Sequence, residues 1–352
     1  MEQTKWEIRI RGQEIWHGML DDIAAAKQSI EMEQFSVRDD KIGHIFLQYF
    51  ERKLKQGVKV RIICDAMNSW RMFASPYFKQ LTRQGLESIA FNPLNIFKPT
   101  KAFFRAHKKT LIVDSKVAWV GGLGIKDKFE NFRDNQIRLE GPVVADIIQS
   151  FEAVWQNPDP EAKLPITPQP KDKEFQYLIN SNGYHKKQIY EWMRDSIAKA
   201  KKHIYLTSSY FYPDQNFFQL MINKAQQGVD VKIIIRGKDD EHLPVRFSAS
   251  YFRPALINGI GIYRYMPNII HAKGAIIDDV ASIGTCNLDK FSFFYNSESN
   301  IVSRNKLFVQ EINRQFHEDL KFCSHITLEA WEQRPLRERA LELVLWPFHN
   351  YL

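Results

Sequence analysis

His107-Lys108-Lys109-Thr110-Leu111-Ile112-Val113-Asp114 recurs 164 residues later as His271-Ala272-Lys273-Gly274-Ala275-Ile276-Ile277-Asp278. Both read H-x-K-x-x-x-x-D. Glycine follows each at a similar distance, at Gly121-Gly122 and at Gly284, and an acid lies 27 residues after each histidine, Asp134 and Glu298. One such histidine beside a lysine is ordinarily a surface or packing residue. Two copies with matched glycines and matched acids read as a duplicated catalytic unit.

Working outward, the flanking elements repeat as well. Ile15 to Ser29 has helical spacing, Ser29 to Val37 alternates as a strand with Ile30 and Met32 inward, Gly43 to Lys55 is an amphipathic helix closed by Gln56-Gly57, and Val58 to Asp65 is a second strand. Strand, helix, strand at this spacing is a parallel crossover, hence an α/β class. Further strands follow at Thr110 to Val113, Val117 to Val120 and Phe132 to Leu139, then a helix from about Val144 to Trp155. On a strand, residues two apart share a face, so His107 and Lys109 project together.

Five prolines between Asn157 and Pro170 disfavour both helix and central strand and mark a seam. Beyond it the order restarts. Tyr190 to Ala200 is a helix, His203 to Tyr210 a strand, Asn216 to Gln226 a helix closed by Gln227-Gly228, and Val229 to Arg236 a strand. The expected division is 1–156, a linker over 157–172, a second half over 173–326 and a helical tail over 327–352. Two copies imply a pseudo-twofold pair rather than a solenoid.

The chain has 352 residues, 44% of them hydrophobic, which suffices for packed cores and excludes disorder as a class. A net charge of +8 points to an anionic partner: nucleic acid, anionic lipid or a phosphorylated small molecule. Three scattered cysteines make no disulfide framework and fit a reducing compartment. Neither a signal-peptide core nor an apolar run long enough to span a bilayer is present, so membrane contact is expected to be peripheral. Residues 88–113 contain no acid but interleave Lys98, Lys101 and Arg105 with Phe91, Phe97, Phe103 and Phe104. This basic, aromatic approach to His107 reads either as a loop with solvated lysines or as a surface for phosphate headgroups or stacked bases. Arg334 to Leu352 reads either as a docked tail or as an interfacial anchor carrying Arg337 and Arg339.

The doubled motif resembles the signature of the phospholipase D superfamily over residues 12 to 345, and the flanking text resembles bacterial cardiolipin synthases that lack N-terminal membrane-spanning segments. The matching stretches include Gln56 to Arg61, Glu140 to Val144, Ser209 to Pro213 and Gly284 to Asp289. The resemblance implies two α/β half-domains with mixed sheets flanked by helices and one active site at their interface. In that site one histidine attacks phosphorus and the other handles the alcohol proton, while Lys109, Lys273 and Asn287 hold phosphoryl oxygens, with no metal and no cofactor. His107 is favoured as nucleophile. Asp114 and Asp278 complete the motifs and are grouped with them, with strand-end anchoring as their role. By resemblance Glu298 pairs with His107 and Asp134 with His271 across the interface; pairing within each half is the alternative. The sequence departs from the family at Gly124, where Asn is usual, and at Phe132, where Trp is common.

The implied activity is transfer of a phosphatidyl group to phosphatidylglycerol, on phospholipid substrates at an anionic membrane surface, with a cytoplasmic, peripheral location on the inner face of the membrane. A hydrolase of the same chemistry, acting on phospholipid or nucleic acid, stands second. A non-catalytic binder of anionic surfaces stands last.

Overall fold

The computed structural model describes residues 3–159, 171–181, 187–237 and 242–335. At its centre are two mixed sheets. Strands of the first run in the order Lys5–Arg11, Arg133–Glu140, Val117–Gly121, Lys109–Val113, Ser29–Gln34, Lys59–Asp65, Glu87–Phe91. Those of the second run Phe175–Asn180, Glu298–Ser303, Val280–Gly284, Gly274–Ile277, His203–Thr207, Asp230–Arg236, Gly261–Tyr265, with Cys323–Ile326 added at the edge. The first seven positions correspond one to one. The duplication is therefore one of whole sheets, not of motifs alone.

Each crossover is built the same way. Ser29 lies parallel to Lys59 and His203 to Asp230. Between them run the helices Lys41–Lys55 and Gln215–Gln226, started by Asp40 and Asp214, whose carboxylates accept from first-turn backbone N–H groups. The first helix buries Ile42, Phe46, Leu47 and Phe50 on one face. Both helices stop at Gln-Gly, with Gly57 at φ +81° and Gly228 at φ +85°, a left-handed backbone that only glycine adopts without strain.

Three apolar layers make up the core, and one of them joins the halves. One joins the helices Gly12–Ala25 and Lys41–Lys55 to the first sheet through Ile15, Met19, Phe46 and Met32. Its counterpart joins Gln188–Lys199, Gln215–Gln226 and His242–Ile257 to the second sheet. The third is shared: Ile112, Val120 and Ile137 of the first sheet meet Ile276, Ile283 and Ile301 of the second, with the helices Val143–Gln156 and Lys306–Lys321. Since that layer buries apolar surface from both sheets, separating the halves would expose it to water.

The sharing explains where the sequence reading differs from the fold. Ser29–Gln34 alternates apolar and polar as expected, yet its polar face is buried too, because the shared layer lies behind it. Glu31 reaches Arg61 and Glu33 reaches Lys108, a pairing that buried charge requires. The edge strands Lys5–Arg11 and Phe175–Asn180, the strand Glu87–Phe91 and the short helices Trp70–Ala74 and Pro76–Arg83 escape the sequence reading, although Trp6, Ile8 and Ile10 alternate with charged residues as a strand's should. The first helix ends at Ala25 rather than Ser29, and the strand from His203 ends at Thr207 rather than Tyr210. Residues 160–170 of the predicted linker and 336–352 of the tail, Arg337 and Arg339 among them, lie outside the described residues.

Candidate active site

The two motif histidines enter one cavity from opposite halves, and backbone pairing across the seam puts them there. His107 N donates to Ser297 O at 2.9 Å and Ser297 N to Arg105 O at 2.9 Å. In the other half His271 N donates to Arg133 O at 2.7 Å and Arg133 N to Ile269 O at 3.0 Å. In both cases the residue before a histidine bridges the residue before the other half's acid, Ala106 with Ser297 and Ile270 with Arg133. Each acid is thereby carried to the partner half's imidazole.

The carboxylates follow that register. His107 Nδ1 lies 2.8 and 2.9 Å from the two oxygens of Glu298, and His271 Nδ1 lies 2.7 Å from Asp134 Oδ2. Pairing is across the interface, so the own-half alternative is excluded. A carboxylate that accepts from Nδ1–H fixes the tautomer and leaves Nε2 with its lone pair.

Charge at the site is set by burial. Desolvation lowers His107 to about 4 against the opposing pull of Glu298. The same cause, reinforced by Lys273, Lys109 and Arg236, holds His271 well below its ordinary range. The ammonium of Lys109 is lowered to about 7 and that of Lys273 to about 8, both by burial. Asp134 is raised by burial to about 6. Burial also pushes Glu298 upward, but His107, Lys109 and Thr285 outweigh it and its carboxyl sits below the usual range. In the ligand-free site both imidazoles are neutral at neutral pH.

The cavity has a volume of about 560 Å³, and Lys109 and Asn287 line it with the two histidines. Lys109 Nζ donates to His107 O at 2.7 Å, and Lys273 Nζ donates to His271 O and to Ser209 Oγ. The amide oxygen of Asn287 is buried without a protein partner. Of the three basic residues expected to bind substrate, Arg105 lines the cavity, where it is ion-paired with Asp65 at 3.4 Å. Lys101 reaches Asp159 at 3.0 Å instead, and Lys98 is exposed outside the lining.

Asp114 and Asp278 do not belong with the groups around the histidines. Asp114 accepts from the backbone N–H groups of Lys27, Gln28 and Ser29, and Asp278 from those of Lys201, Lys202 and His203. Four residues of extended chain lie between each and its motif lysine, a span of roughly 16 Å. Both have positive φ, +51° and +49°, so they turn the chain at the strand end while tying it to the preceding crossover. They hold the scaffold and touch no reacting atom.

A family model described as "Cardiolipin synthase, PLD-like domain" matches residues 19–155 and 193–320. The chain belongs to this cardiolipin synthase family of the phospholipase D superfamily. Among its relatives, a cardiolipin synthase of Geobacillus kaustophilus (strain HTA426) is 32% identical over 356 residues, covering 96% of this chain and 70% of that protein. A cardiolipin synthase 2 of Bacillus anthracis is 33% identical, covering 97% and 69%. The crystal structure of a phosphatidylserine synthase from Haemophilus influenzae Rd KW20 superposes with a TM-score of 0.75 at 13% identity, covering 98% of this chain and 93% of that one. A polyphosphate kinase from Porphyromonas gingivalis superposes with a TM-score of 0.65 at 12% identity, covering 99% and 54%. These two likenesses establish the fold.

Within this family member, sequence reasoning found the Gly124 departure but missed the other groups that make the halves unequal. Thr285 donates its hydroxyl to Glu298, whereas its counterpart Gly122 leaves no room for a side chain: a Cβ there would lie 2.2 Å from Asp134 Oδ1. Phe129 packs against Gly124, the position that Asn287 occupies in the other half, and stacks on His271 with ring centroids 5.6 Å apart. Phe35 meets His107 edge-on at 4.7 Å and lies 5.3 Å from Lys109 Nζ, where the second half presents Ser209 to Lys273. The Gly-Gly-Leu-Gly and Gly-Thr-Cys-Asn texts carried that signal. The Thr285-for-Gly122 and Asn287-for-Gly124 exchanges are legible there, whereas the aromatic contacts with the histidines have no local spacing.

Proposed function

We propose that the protein is a cardiolipin-synthase-type phosphatidyltransferase, moving a phosphatidyl group onto a hydroxyl of phosphatidylglycerol through a covalent phosphohistidine. The observation that carries this reading is the pair of imidazoles, each with Nδ1 tied to a buried acid and both lining one cavity. His107 Nε2 attacks phosphorus and the P–O bond to the leaving glycerol breaks. His271 donates a proton to that oxygen. It has taken up this proton as the anionic phosphodiester enters, because negative charge beside the ring offsets the cationic neighbours that otherwise hold it neutral. His271 then removes the proton from the acceptor hydroxyl, which attacks phosphorus as the P–N bond breaks. His107 returns neutral, and cardiolipin leaves.

Lys109, Lys273 and the Asn287 amide stabilise charge on the non-bridging oxygens, a role that low local polarity strengthens. Glu298, kept ionised by Thr285 and His107, supports the imidazolium-like charge that develops on the nucleophile. The lining also carries Arg38, Lys126, Lys128 and Arg236, with Arg105 held by Asp65, against one lining acid, Asp289. This excess of positive charge suits a second phosphate, the acceptor's own, which a hydrolase would not require. No helix among the described residues is long and apolar enough to cross a membrane. We assign the enzyme to the cytoplasmic face of the membrane, bound peripherally.

The test is to incubate the protein separately with phosphatidylglycerol vesicles and with single-stranded DNA. Cardiolipin and free glycerol are the expected products. Phosphatidic acid without cardiolipin would make water the acceptor, and shortened DNA without lipid turnover would overturn the lipid assignment.

A further inference from the structure

Beside the cavity, at the end of the first sheet where Lys59–Asp65 and Glu87–Phe91 terminate, the surface is unusually apolar. Leu94, Ile96 and Phe97 are 65%, 85% and 87% exposed, and Phe103 and Trp70 are 55% and 56% exposed. Large apolar side chains this exposed and this close in sequence seldom occur together on a surface meant only for water. The two segments that carry them are tied at their bases, since Ala66 N donates to Phe91 O at 2.9 Å.

The longer segment is a held loop. Asn92, at φ +49°, donates its side-chain amide to Lys101 O at 2.7 Å and Phe104 O at 2.6 Å, which closes residues 93–100 into a loop with pinned ends. Its apolar tip therefore projects from a fixed base. Beyond that base the chain runs directly into the site: Ala102, Phe103 and Arg105 line the cavity, and Phe103 stacks on Phe291 of the other half at 6.2 Å.

We propose that residues 94–97 form a wedge that inserts into the acyl region of a bilayer containing anionic phospholipid, setting the cavity mouth at headgroup level. This inference rests on the lipid reading above. Charge selects that occupant: residues 88–113 contain no acid and the exposed Lys98 borders the tip, while Lys101 and Arg105 behind it are held by Asp159 and Asp65. Apolar tips flanked by cations suit the boundary between acyl chains and anionic headgroups. A second copy of the same chain would bring like charge to like charge.

The experiment uses the full chain and its Ile96→Glu/Phe97→Glu variant, with Ile96→Leu/Phe97→Leu as the conservative control. Co-sedimentation with phosphatidylglycerol vesicles is compared with turnover of dihexanoyl phosphatidylglycerol below its aggregation concentration. We expect the Glu pair to weaken vesicle binding about tenfold or more, since it replaces inserted apolar groups by charge. Turnover of the monomeric substrate should stay within about twofold, because neither side chain lines the cavity. The Leu pair should bind vesicles like the parent. Vesicle binding unchanged in the Glu pair would overturn the wedge, as would loss of self-association with vesicle binding intact, which would make the patch a protein contact. Loss of vesicle binding in a protein that turns over neither substrate would refute the transferase reading and leave the wedge standing.

Discussion

The two halves each bring a histidine, a lysine and an acid to one site, yet differ in what stands behind each. Glu298 is braced by the Thr285 hydroxyl and sits below its ordinary range, while Asp134 faces Gly122 and is raised to about 6. Lys273 has Ser209 where Lys109 has Phe35, and Asn287 stands where Gly124 admits Phe129. Duplication supplied matched parts, and a few neighbouring positions have diverged. In the proposed mechanism the more strongly ionised acid serves His107 as nucleophile, and the imidazole stacked on Phe129, with the weaker acid, serves as the proton carrier.

The largest effect is expected from the histidines. His107→Ala and His271→Ala should each lower turnover by about 10³-fold or more, since nucleophile and proton carrier act as one unit. Near-normal turnover in either variant would break the two-histidine scheme. The acids come next and should separate the halves: Glu298→Gln should cost about 10³-fold in kcat and Asp134→Asn about 10²-fold, because less ionised character is lost from Asp134. Equal losses would mean that the halves are chemically alike.

The profile of kcat/KM against pH offers a further separation. His107 must be neutral, so activity should fall on the acid side as pH drops through about 4, well below the usual histidine range. Lys109 must be cationic, so activity should decline on the alkaline side as pH rises through about 7. An acid limb near 6.5 would show that burial does not govern His107. A smaller loss, about tenfold, is expected for Thr285→Val, which removes one donor from Glu298 and leaves its packing.

Much of this was legible in the sequence, for a physical reason. A nucleophile, a proton carrier and their lysines must keep fixed spacing to share a strand end, so His107, Lys109, His271 and Lys273 announce themselves twice. The parallel crossovers were equally readable, since amphipathic helices with Gln-Gly stops leave a local pattern. Cross-half pairing of His107 with Glu298 was available only through family resemblance, because the register of Ala106 on Ser297 is a tertiary fact with no local trace. The same holds for Glu31 and Glu33, polar residues whose partners Arg61 and Lys108 also reach Glu152 and Ser150 of the helix Val143–Gln156 that covers that face.

Asp114 and Asp278 give the smallest effect and the cleanest contrast with the histidines. Asp114→Ala should lower stability by roughly 1–2 kcal/mol, through loss of bonds to three backbone N–H groups, and leave turnover per folded molecule unchanged. Chemical denaturation alongside activity measures both.

The division of labour between the halves rests on where the covalent bond forms. Phosphatidylglycerol labelled with radioactive phosphorus, added to the His271→Ala protein and quenched in base, should leave label on the peptide that contains His107, because that protein keeps the nucleophile, forms the bond slowly without its proton donor, and discharges it slowly without the base that activates the acceptor. Label on the His271 peptide of a His107→Ala protein, with none on His107 in the His271→Ala protein, would reverse the assignment. Absence of label in both would contradict a phosphohistidine altogether.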